Sequence, residues 1–495
     1  MIKVACMHPN DRQTAHTGWG TSACGWRRRR AGWQQVHSAK ARAGRQQQGA
    51  VLPPAPTEQQ ELIRVLAVTD LHVDYGENMR WCEALPRSRS DVLVVSGDVS
   101  DELAALEAAL GMLASKFGAV FYCPGNHELW VRERDRASGV LDSLTKLRRI
   151  CELCTRLGVH TQPRQLGGLW VAPLLSWHHH SFDTEPDIPG VPPPSPWTVS
   201  DYSACKWPQS VPGGSRHGSL ELAQWFDSMN DSPAWQRMLA TRHGCDVVSF
   251  SHFLPHQALL PEKRYLYYPG LTKAVGSAPL AARLQQLQPD IHLFGHTHFA
   301  WDARLGGTRY IQAPLCSPLE RRRRLFTVGF GSSMEAAQAD PEGALWLPLV
   351  VYQGLVPAGT LEGLQAEAAA EAAAAAAVAA GGAGNAAAMP AVPEVQLQQQ
   401  QPEEQQQQQQ QAAPLAVLVD AGWQPLRHGV ESPPLRAHWS DHYEETARQP
   451  EIVALAPWVA DRWKRRRARA AARSGGESSS ASGTDSSGSE PEDTS

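Results

Sequence analysis

A series of short apolar runs begins at residue 62, and each run ends in a cluster of polar residues. The first three runs, at 63–68, 91–96 and 119–123, are rich in β-branched and aromatic residues, as buried strands are. Between the second and third runs, leucines recur at helical spacing over 103–113. Strands that alternate with a helix over short connections predict an α/β fold with a parallel sheet.

The same alternation continues along the chain. Apolar positions at helical spacing predict a helix over 141–157, and a Pro-rich span at 182–214 predicts a long irregular loop. Further strands are predicted at 169–175, 246–250, 289–294, 309–312 and 345–351. The predicted sheet therefore draws on residues from 62 to 351.

Composition indicates how much of the 495 residues can fold. The chain contains 40 Gly and 37 Pro, together with long Ala, Gln and Ser tracts that cannot bury a core. One large domain with disordered additions is therefore predicted. The predicted organisation is a disordered basic extension at 1–57, the α/β domain at 62–355, an Ala/Gln-rich low-complexity insertion at 364–413, a segment at 434–463 that docks on the domain, and a basic run followed by a Ser-rich acidic disordered tail at 464–495.

The N-terminal extension and the cysteine pattern indicate the compartment of the cell in which the protein is expected. The first 57 residues contain one acid, Asp11, against seven Arg and two Lys. Such an Arg-rich, acid-poor stretch is typical of an organellar transit peptide, and a plain disordered extension is the alternative. The nine scattered cysteines do not form the pattern of a disulfide framework, which favours a reducing compartment. We expect an intracellular protein, in the cytoplasm, or in a plastid or mitochondrion if the extension is a transit peptide.

Charge and hydropathy disfavour two kinds of partner. Lys and Arg total 46 against 50 Asp and Glu, and this net charge of −4 provides no basic field to attract nucleic acid. The sequence has no run of about 18 apolar residues, so we expect no membrane partner. The sequence gives no prediction about protein partners.

Metal-ligating side chains follow the predicted strands. The carboxyl ends of strands in open α/β sheets are where such folds bind ligands, so these side chains are expected to share one rim. Carboxylates and imidazoles without thiolates suit Mn, Fe or Zn. The donors are too numerous for one tetrahedral ion, and two ions about 3.5–4 Å apart would use them all. The seven candidate donors are Asp70, His72, Asp98, Asn126, His252, His296 and His298, and His127 is one extra imidazole at the same rim.

In order, these residues form a signature of five blocks. The blocks are Asp70-x-His72, Gly97-Asp98, Gly125-Asn126-His127-Glu128, His252 and Gly295-His296-Thr297-His298. Over about residues 62–320 the chain resembles a calcineurin-like metallophosphoesterase. The resemblance implies a β-sandwich flanked by helices, in α/β/β/α layers. It also implies a phosphate-ester substrate and two divalent or trivalent metal ions, with Mn, Fe and Zn as the candidates.

The resemblance also implies a role for each residue. Asp70, His72 and His298 would bind the first metal, Asn126, His252 and His296 the second, and Asp98 both. His243 and His256 are the alternatives to His252, which directly follows its predicted strand.

His127 is the family's non-ligand imidazole. It would stabilise transition-state charge or protonate the leaving alkoxide. The implied reaction is direct attack of a metal-bridging hydroxide on phosphorus, with His127 and Asp98 as the catalytic residues and without a covalent enzyme intermediate.

Departures from the signature bear on the substrate. Gly97-Asp98 is followed by Val99-Ser100-Asp101-Glu102, which lacks the Arg of the Ser/Thr protein phosphatases and the Tyr of the purple acid phosphatases. The chain is more similar to the generic phosphohydrolases of plants and algae. Two alternatives stay open, a non-catalytic metal-binding scaffold of the same fold and a nucleic-acid phosphodiesterase. His178, His179 and His180 follow another predicted strand, either as substrate contacts or as a polar loop cluster.

Overall fold

The computed structural model describes residues 59–323, 347–380 and 422–476. The predictions for residues 1–57, for most of 364–413 and for the acidic tail fall outside the described residues. None of the helices in the described ranges combines the length and hydropathy needed to span a bilayer.

The described strands form two mixed sheets of six strands each. In chain order they are β1 (Gln60–Val68), β2 (Ser88–Ser96), β3 (Phe117–Cys123), β4 (Arg164–Leu166), β5 (Leu169–Pro173), β6 (Asp246–Phe250), β7 (Ile291–Leu293), β8 (Trp301–Leu305), β9 (Thr308–Gln312), β10 (Leu349–Pro357), β11 (Gln424–Pro425) and β12 (Gly429–Glu431). The first sheet has the order β11-β12-β10-β1-β2-β3 and the second β4-β5-β6-β7-β9-β8.

Parallel strands occupy the part of each sheet that carries the signature residues. Strands β1, β2 and β3 run parallel in the first sheet, and β5, β6, β7 and β9 run parallel in the second. Antiparallel strands complete the edges, with β10 beside β1, and β4 and β8 at the two ends of the second sheet. The apolar runs alone predicted one sheet, and this was wrong because strands buried on both faces have the same pattern in one sheet or in two stacked sheets.

Helices cover the outer faces of both sheets. In chain order, the helices of the described residues are α1 (Gly76–Ala84), α2 (Leu103–Lys116), α3 (Glu133–Ala137), α4 (Ser143–Leu157), α5 (Asp201–Ala204), α6 (Leu220–Ser228), α7 (Pro233–Thr241), α8 (Ala278–Leu287), α9 (Pro318–Arg323), α10 (Thr360–Ala380), α11 (His438–Glu445) and α12 (Pro457–Gly476).

Three apolar clusters separate these layers. One lies between the sheets and includes Val65, Val94 and Val248. A second lies under α2 and α4 on the first sheet, and a third under α7 and α8 on the second. This is the α/β/β/α arrangement that the family resemblance implies, and the predicted fold class is confirmed.

Helix α4 shows how local sequence sets these elements. Its N-cap Asp142 accepts a hydrogen bond from the Thr145 N–H, and it ends at Gly158, whose φ of 68° is left-handed. Leu147, Ile150 and Leu153 form its buried face.

Helix α10 overlaps the region predicted as an insertion from residue 364. Its first turns are packed, with Leu361, Leu364 and Ala368 buried against β3 and α4. Gln365 Nε2 also donates to the Gly118 carbonyl at 2.6 Å. These side chains form a short apolar stripe at the start of an Ala-rich run, so the helix packs on the domain. The alanines that follow hide this stripe in the sequence pattern.

The described residues from 422 onward pack on both sheets. Strand β12 pairs antiparallel with β10, so the first sheet receives a strand earlier than the segment predicted to dock at 434–463. Within that segment, Trp439 of α11 is buried and Tyr443 accepts the Glu262 N–H at 3.0 Å. Trp463 Nε1 donates to the Tyr267 carbonyl at 2.9 Å. These contacts hold 438–463 on the helical side of the second sheet.

Candidate metal centre

Every residue of the predicted site lies just beyond the carboxyl end of a parallel strand. Asp70 and His72 follow β1, Asp98 follows β2, and Asn126 and His127 follow β3 in the first sheet. In the second sheet His252 follows β6, and His296 and His298 follow β7. The strand ends are joined there, since the Thr69 N–H donates to Ala313 O and the Gly295 N–H donates to His252 O. One rim therefore receives donors from both sheets.

The side chains form two groups that share one carboxylate. In the first group, ligand atoms of Asp70, His72, Asp98 and His298 lie within 4.8 Å of one another, and in the second the same holds for Asp98, His252 and His296. Among the residues that the structure describes, Asp98 alone belongs to both of these groups. The predicted bridging position is thus the position that connects the two groups.

Asn126 completes the second group with its amide oxygen. Asn126 Oδ1 lies 3.1 Å from His252 Nε2 and 2.9 Å from His296 Nδ1. Asn126 and both imidazoles are buried. Three ring or amide atoms therefore converge on one small volume, as ligands of a cation do.

The outward nitrogens of three imidazoles have oxygen acceptors. His252 Nδ1 lies 2.9 Å from the Ser96 carbonyl and His296 Nε2 lies 2.9 Å from the Ala274 carbonyl. His298 Nδ1 lies 3.1 Å from Glu320 Oε2. Each ring is thus oriented with its other nitrogen toward the group, which is the arrangement that metal-bound histidines require. The residues present fit the metal ions that the family resemblance implies.

Left-handed backbone conformations bring these side chains together. Five of the seven candidate ligands have positive φ: Asp70 at 54°, His72 at 43°, Asp98 at 51°, His296 at 75° and His298 at 58°. Such conformations cost non-glycine residues about 1–3 kcal/mol each and persist where the surroundings enforce them. The chain turns sharply as each of these strands ends, so that two side chains from one loop can both face the candidate metal centre.

Glycines of the signature allow the strand ends to approach closely. A Cβ on Gly97 would lie 2.6 Å from His252 Nδ1, and one on Gly125 would lie 2.2 Å from Asp98 Oδ1. Both distances are shorter than any real contact, so any larger residue would displace a candidate ligand.

In the metal-free site, neighbouring charges lower the pKa values of two carboxyl groups and raise those of two imidazoles. Burial opposes ionisation of Asp98, but the charges of His127 and His252 outweigh it and hold its pKa well below the ordinary value. Burial likewise opposes ionisation of Asp70, and His298 lowers the Asp70 pKa. Burial lowers the pKa of His252, but Asp98 raises it to about 9. Burial also lowers the pKa of His298, but Glu320 and Asp70 raise it to about 10.

We expect metal binding to release protons. Near pH 7.5 the metal-free protein holds His252 and His298 protonated, and both must lose a proton to bind a cation, so at least about two protons per chain should appear. Calorimetric titration of metal-free protein with Mn²⁺ in two buffers of different ionisation enthalpy measures this number. The part of this number that the two histidines contribute should disappear as the pH rises through about 9 and about 10.

The same pKa shifts set a pH trend for the metal-free fold. Both histidines have folded pKa values above the unfolded value of 6.5. Their contribution to stability is therefore complete below pH 6.5 and is lost as the pH rises through about 9 and about 10. No proton release at pH 7.5 would contradict both expectations.

Glu128 supports the turns that carry two signature blocks. Its buried carboxylate accepts the backbone N–H groups of Asp98 at 3.2 Å, Val99 at 2.5 Å and Gly125 at 2.8 Å. Burial and the charge of Asp98 raise the pKa of Glu128 to about 7, against the Val99 hydrogen bond. The signature includes an acid here, but only the structure shows that it connects the Asp98 and Asn126 loops.

Glu128→Gln is expected to destabilise the metal-free protein by about 1–3 kcal/mol, because an amide hydrogen must then face a buried N–H group. Urea unfolding at pH 8 measures the loss. The exposed Glu83→Gln in α1 is the matched control and should leave the unfolding midpoint unchanged. Equal midpoints for the two variants would show that the Glu128 contacts contribute nothing.

His127 lies at the edge of the cluster. Its Nε2 is 3.7 Å from Asp98 Oδ2, and its ring packs on Trp130 with 3.7 Å between centroids. Burial lowers its pKa to about 3 while Asp98 acts in the opposite direction. The ring faces the shared carboxylate, and its side chain is 17% exposed while those of Asp98 and His252 are 2% and 1% exposed. His127 is therefore placed to reach a bound substrate.

The structure distinguishes the three histidines considered for the second group. His252 lies 3.4 Å from Asp98, whereas His256 Nε2 pairs with the Tyr310 hydroxyl and His243 is exposed on the surface. Each histidine at 178–180 contacts another protein group, and His178 does so through its Nε2, 3.0 Å from Asp201 Oδ2. His179 Nε2 accepts the Ala278 N–H, and His180 Nε2 pairs with the Tyr202 hydroxyl.

Two carboxylates beside the site have no counterpart in the signature. Glu320 of α9 forms a third group with His298 and Cys316. Asp201 of α5 accepts hydrogen bonds from Asn126 and Trp130. No local pattern marks either one, because each meets its partners only through the tertiary fold.

Comparison with known proteins identifies the family of the domain that carries this site. Residues 63–300 match the family model of the calcineurin-like phosphoesterases. The acyl-carrier-protein phosphodiesterase PptH of Mycobacterium tuberculosis is 25% identical over 276 residues, which cover 52% of this chain and 79% of that protein. The crystal structure of the phosphopantetheinyl hydrolase PptH from Mycobacterium tuberculosis aligns with a TM-score of 0.42 and 22% identity, over 53% of this chain and 92% of that one. Residues 63–300 are a calcineurin-like phosphoesterase domain, and this domain supports a hydrolase that acts on phosphate esters.

Proposed function

We propose that this protein is a phosphodiesterase that uses two metal ions. The observation that carries the proposal is the pair of ligand groups that share Asp98. One group supplies two carboxylates and two imidazoles, and the other adds two imidazoles and the Asn126 amide oxygen. Two bound ions would supply the attacking hydroxide and neutralise charge on the phosphoryl group.

The residues have separate tasks in this proposal. Asp70, His72 and His298 would hold one ion, Asn126, His252 and His296 would hold the other, and Asp98 would contribute to both. His127 lies beside Asp98 at the exposed edge, where it would donate a proton or a hydrogen bond to the departing oxygen. No side chain acts as a nucleophile, so no covalent enzyme intermediate is expected.

A phosphodiester is the substrate class that we favour, because the relative described above is named as an acyl-carrier-protein phosphodiesterase. The first candidate is therefore an acyl carrier protein that bears a phosphopantetheinyl group. The net charge of −4 gives no electrostatic support for a nucleic-acid substrate.

The test uses the full chain, stripped of metal and reloaded with Mn²⁺, Fe²⁺ or Zn²⁺. The substrates are bis(p-nitrophenyl) phosphate, p-nitrophenyl phosphate, pyrophosphate, an oligonucleotide and phosphopantetheinylated acyl carrier protein, the last followed by mass spectrometry. We expect two ions per chain and faster turnover of the diesters than of the monoester. A chain that binds metal but turns over none of these substrates would instead be a metal-binding scaffold, and preferential cleavage of the oligonucleotide would identify a nuclease.

A further inference from the structure

A buried carboxylate outside the signature lies behind the second ligand group. Asp201 begins the short helix α5 (Asp201–Ala204), inside the Pro-rich loop at 182–214, and is only 3% exposed. It is absent from both candidate groups that include Asp98. A buried carboxylate needs hydrogen-bond donors, and the identity of its donors indicates its task.

Three donors from the rim converge on Asp201. Asn126 Nδ2 and Trp130 Nε1 each donate to Asp201 Oδ1 at 2.7 Å. His178 Nε2 lies 3.0 Å from Asp201 Oδ2. The loop at 182–214, where sequence patterns carry no information, thus delivers one acid to the back of the site.

These contacts determine which way the Asn126 amide points. An ionised carboxylate only accepts hydrogen bonds, so the amide nitrogen of Asn126 must face Asp201. The amide oxygen then faces His252 Nε2 at 3.1 Å and His296 Nδ1 at 2.9 Å. With the amide reversed, an N–H group would point at the second ion and an oxygen at the Asp201 carboxylate, and both contacts would be repulsive.

We propose that Asp201 is a positioning residue that orients the Asn126 amide oxygen toward the second metal ion. The inference rests on the proposed two-metal function and adds to it a residue that the family signature does not contain. The same oxygen of Asp201 also holds Trp130, whose ring packs on His127. One carboxylate therefore orients a metal ligand and supports the ring beside the candidate acid.

Two substitutions separate orientation from charge. Asp201→Leu removes every acceptor and leaves the Asn126 amide free to reverse, so affinity for the second ion should fall about 10–100-fold while the first ion binds as in wild type. Asp201→Asn can keep its Oδ1 toward both donors, and His178 can change tautomer to accept from its amide group. Asp201→Asn should therefore retain two ions.

The readout is metal binding by the full chain rather than activity alone. Metal-free protein is titrated with Mn²⁺ in a calorimeter, and electron paramagnetic resonance distinguishes an exchange-coupled pair from a single ion. Retention of the first ion shows that a variant is folded, and Asp201→Ala replaces Asp201→Leu if the larger side chain prevents folding.

A change at residue 126 provides the decisive control. In Asn126→Asp combined with Asp201→Leu, the ligand has oxygen on both sides and needs no orientation, so binding of the second ion should recover. Recovery is specific to positioning, because a merely structural role of Asp201 would not be repaired at residue 126.

The outcomes distinguish this inference from the function on which it rests. Wild-type protein that binds fewer than two ions would overturn the proposed function. With two ions in wild type, three results would each overturn the role of Asp201: undiminished binding in Asp201→Leu, loss of the second ion in Asp201→Asn as complete as in Asp201→Leu, or failure of the double variant to recover.

Discussion

Asp98→Asn is expected to abolish the paired metal site and, with it, phosphodiester hydrolysis. Asp98 belongs to both ligand groups, and its Oδ1 also accepts the backbone N–H of His127 at 3.0 Å. An amide has only one oxygen and no charge, so it cannot bind two cations as the carboxylate does. Changes in residues that merely orient ligands cost about 10–100-fold in affinity, and losing the shared ligand should cost at least about 100-fold.

The measurement is metal content after equilibration with Mn²⁺, together with turnover of bis(p-nitrophenyl) phosphate. Asp246→Asn is the matched control, because Asp246 is also buried but lies at the opposite end of β6, where it accepts the N–H groups of Arg427 and His428. The control should lower stability and leave metal content unchanged. An Asp98→Asn variant that binds two ions with wild-type affinity would exclude a bridging role.

His127→Ala is expected to keep both ions and lose most of the turnover. His127 contributes no atom to the ligand groups, but it lies 3.7 Å from Asp98 at the exposed edge of the site. Positioned proton donors typically contribute about 10²–10⁴-fold to a rate, and we expect a loss in this range. Metal content and diester turnover, measured on the same sample, check both halves of the expectation.

The leaving group separates the two roles open to His127. If the imidazole protonates the departing oxygen, the loss should be larger for an alkyl ester than for a p-nitrophenyl ester, whose leaving group needs no proton. If it only stabilises transition-state charge, the two losses should be equal. His256→Ala is the control, because that ring pairs with Tyr310 away from the site and should not affect turnover. Full activity of His127→Ala on both esters would remove the residue from the reaction.

The strand-end motifs were readable from the sequence because their chemistry restricts residue type. A carboxylate or imidazole directly after a buried run stands out, and the structure brings all seven candidate ligands to one rim. What they bind stays a prediction. The left-handed conformations of Asp70, His72 and Asp98 leave no such trace, because nothing in residue type requires a positive φ there.

The supporting residues could not be predicted for a different reason. Asp201 meets Asn126 across 75 positions of the chain, and Glu320 meets His298 across 22. Neither contact produces a periodic pattern, and an isolated acid in a polar loop has no distinguishing neighbours. The apolar stripe of α10 was hidden by the alanines that follow it. Contacts made only by the tertiary fold lie beyond what spacing and composition can reveal.

Strands β10 and β12 pair in the first sheet although they are far apart in the chain, and this determines where the protein can be cut into two pieces. Strand β10 lies before residue 380 and pairs with β12, which lies after residue 422, while α11 packs on β8 of the second sheet. A single cut between residues 380 and 422 would therefore yield two fragments held together by strand pairing and apolar contacts. We expect such fragments to copurify, so the two pieces could be expressed separately as a split enzyme. A truncation to 63–300 would instead remove β10, the antiparallel neighbour of β1, and leave the edge of β1 open to aggregation.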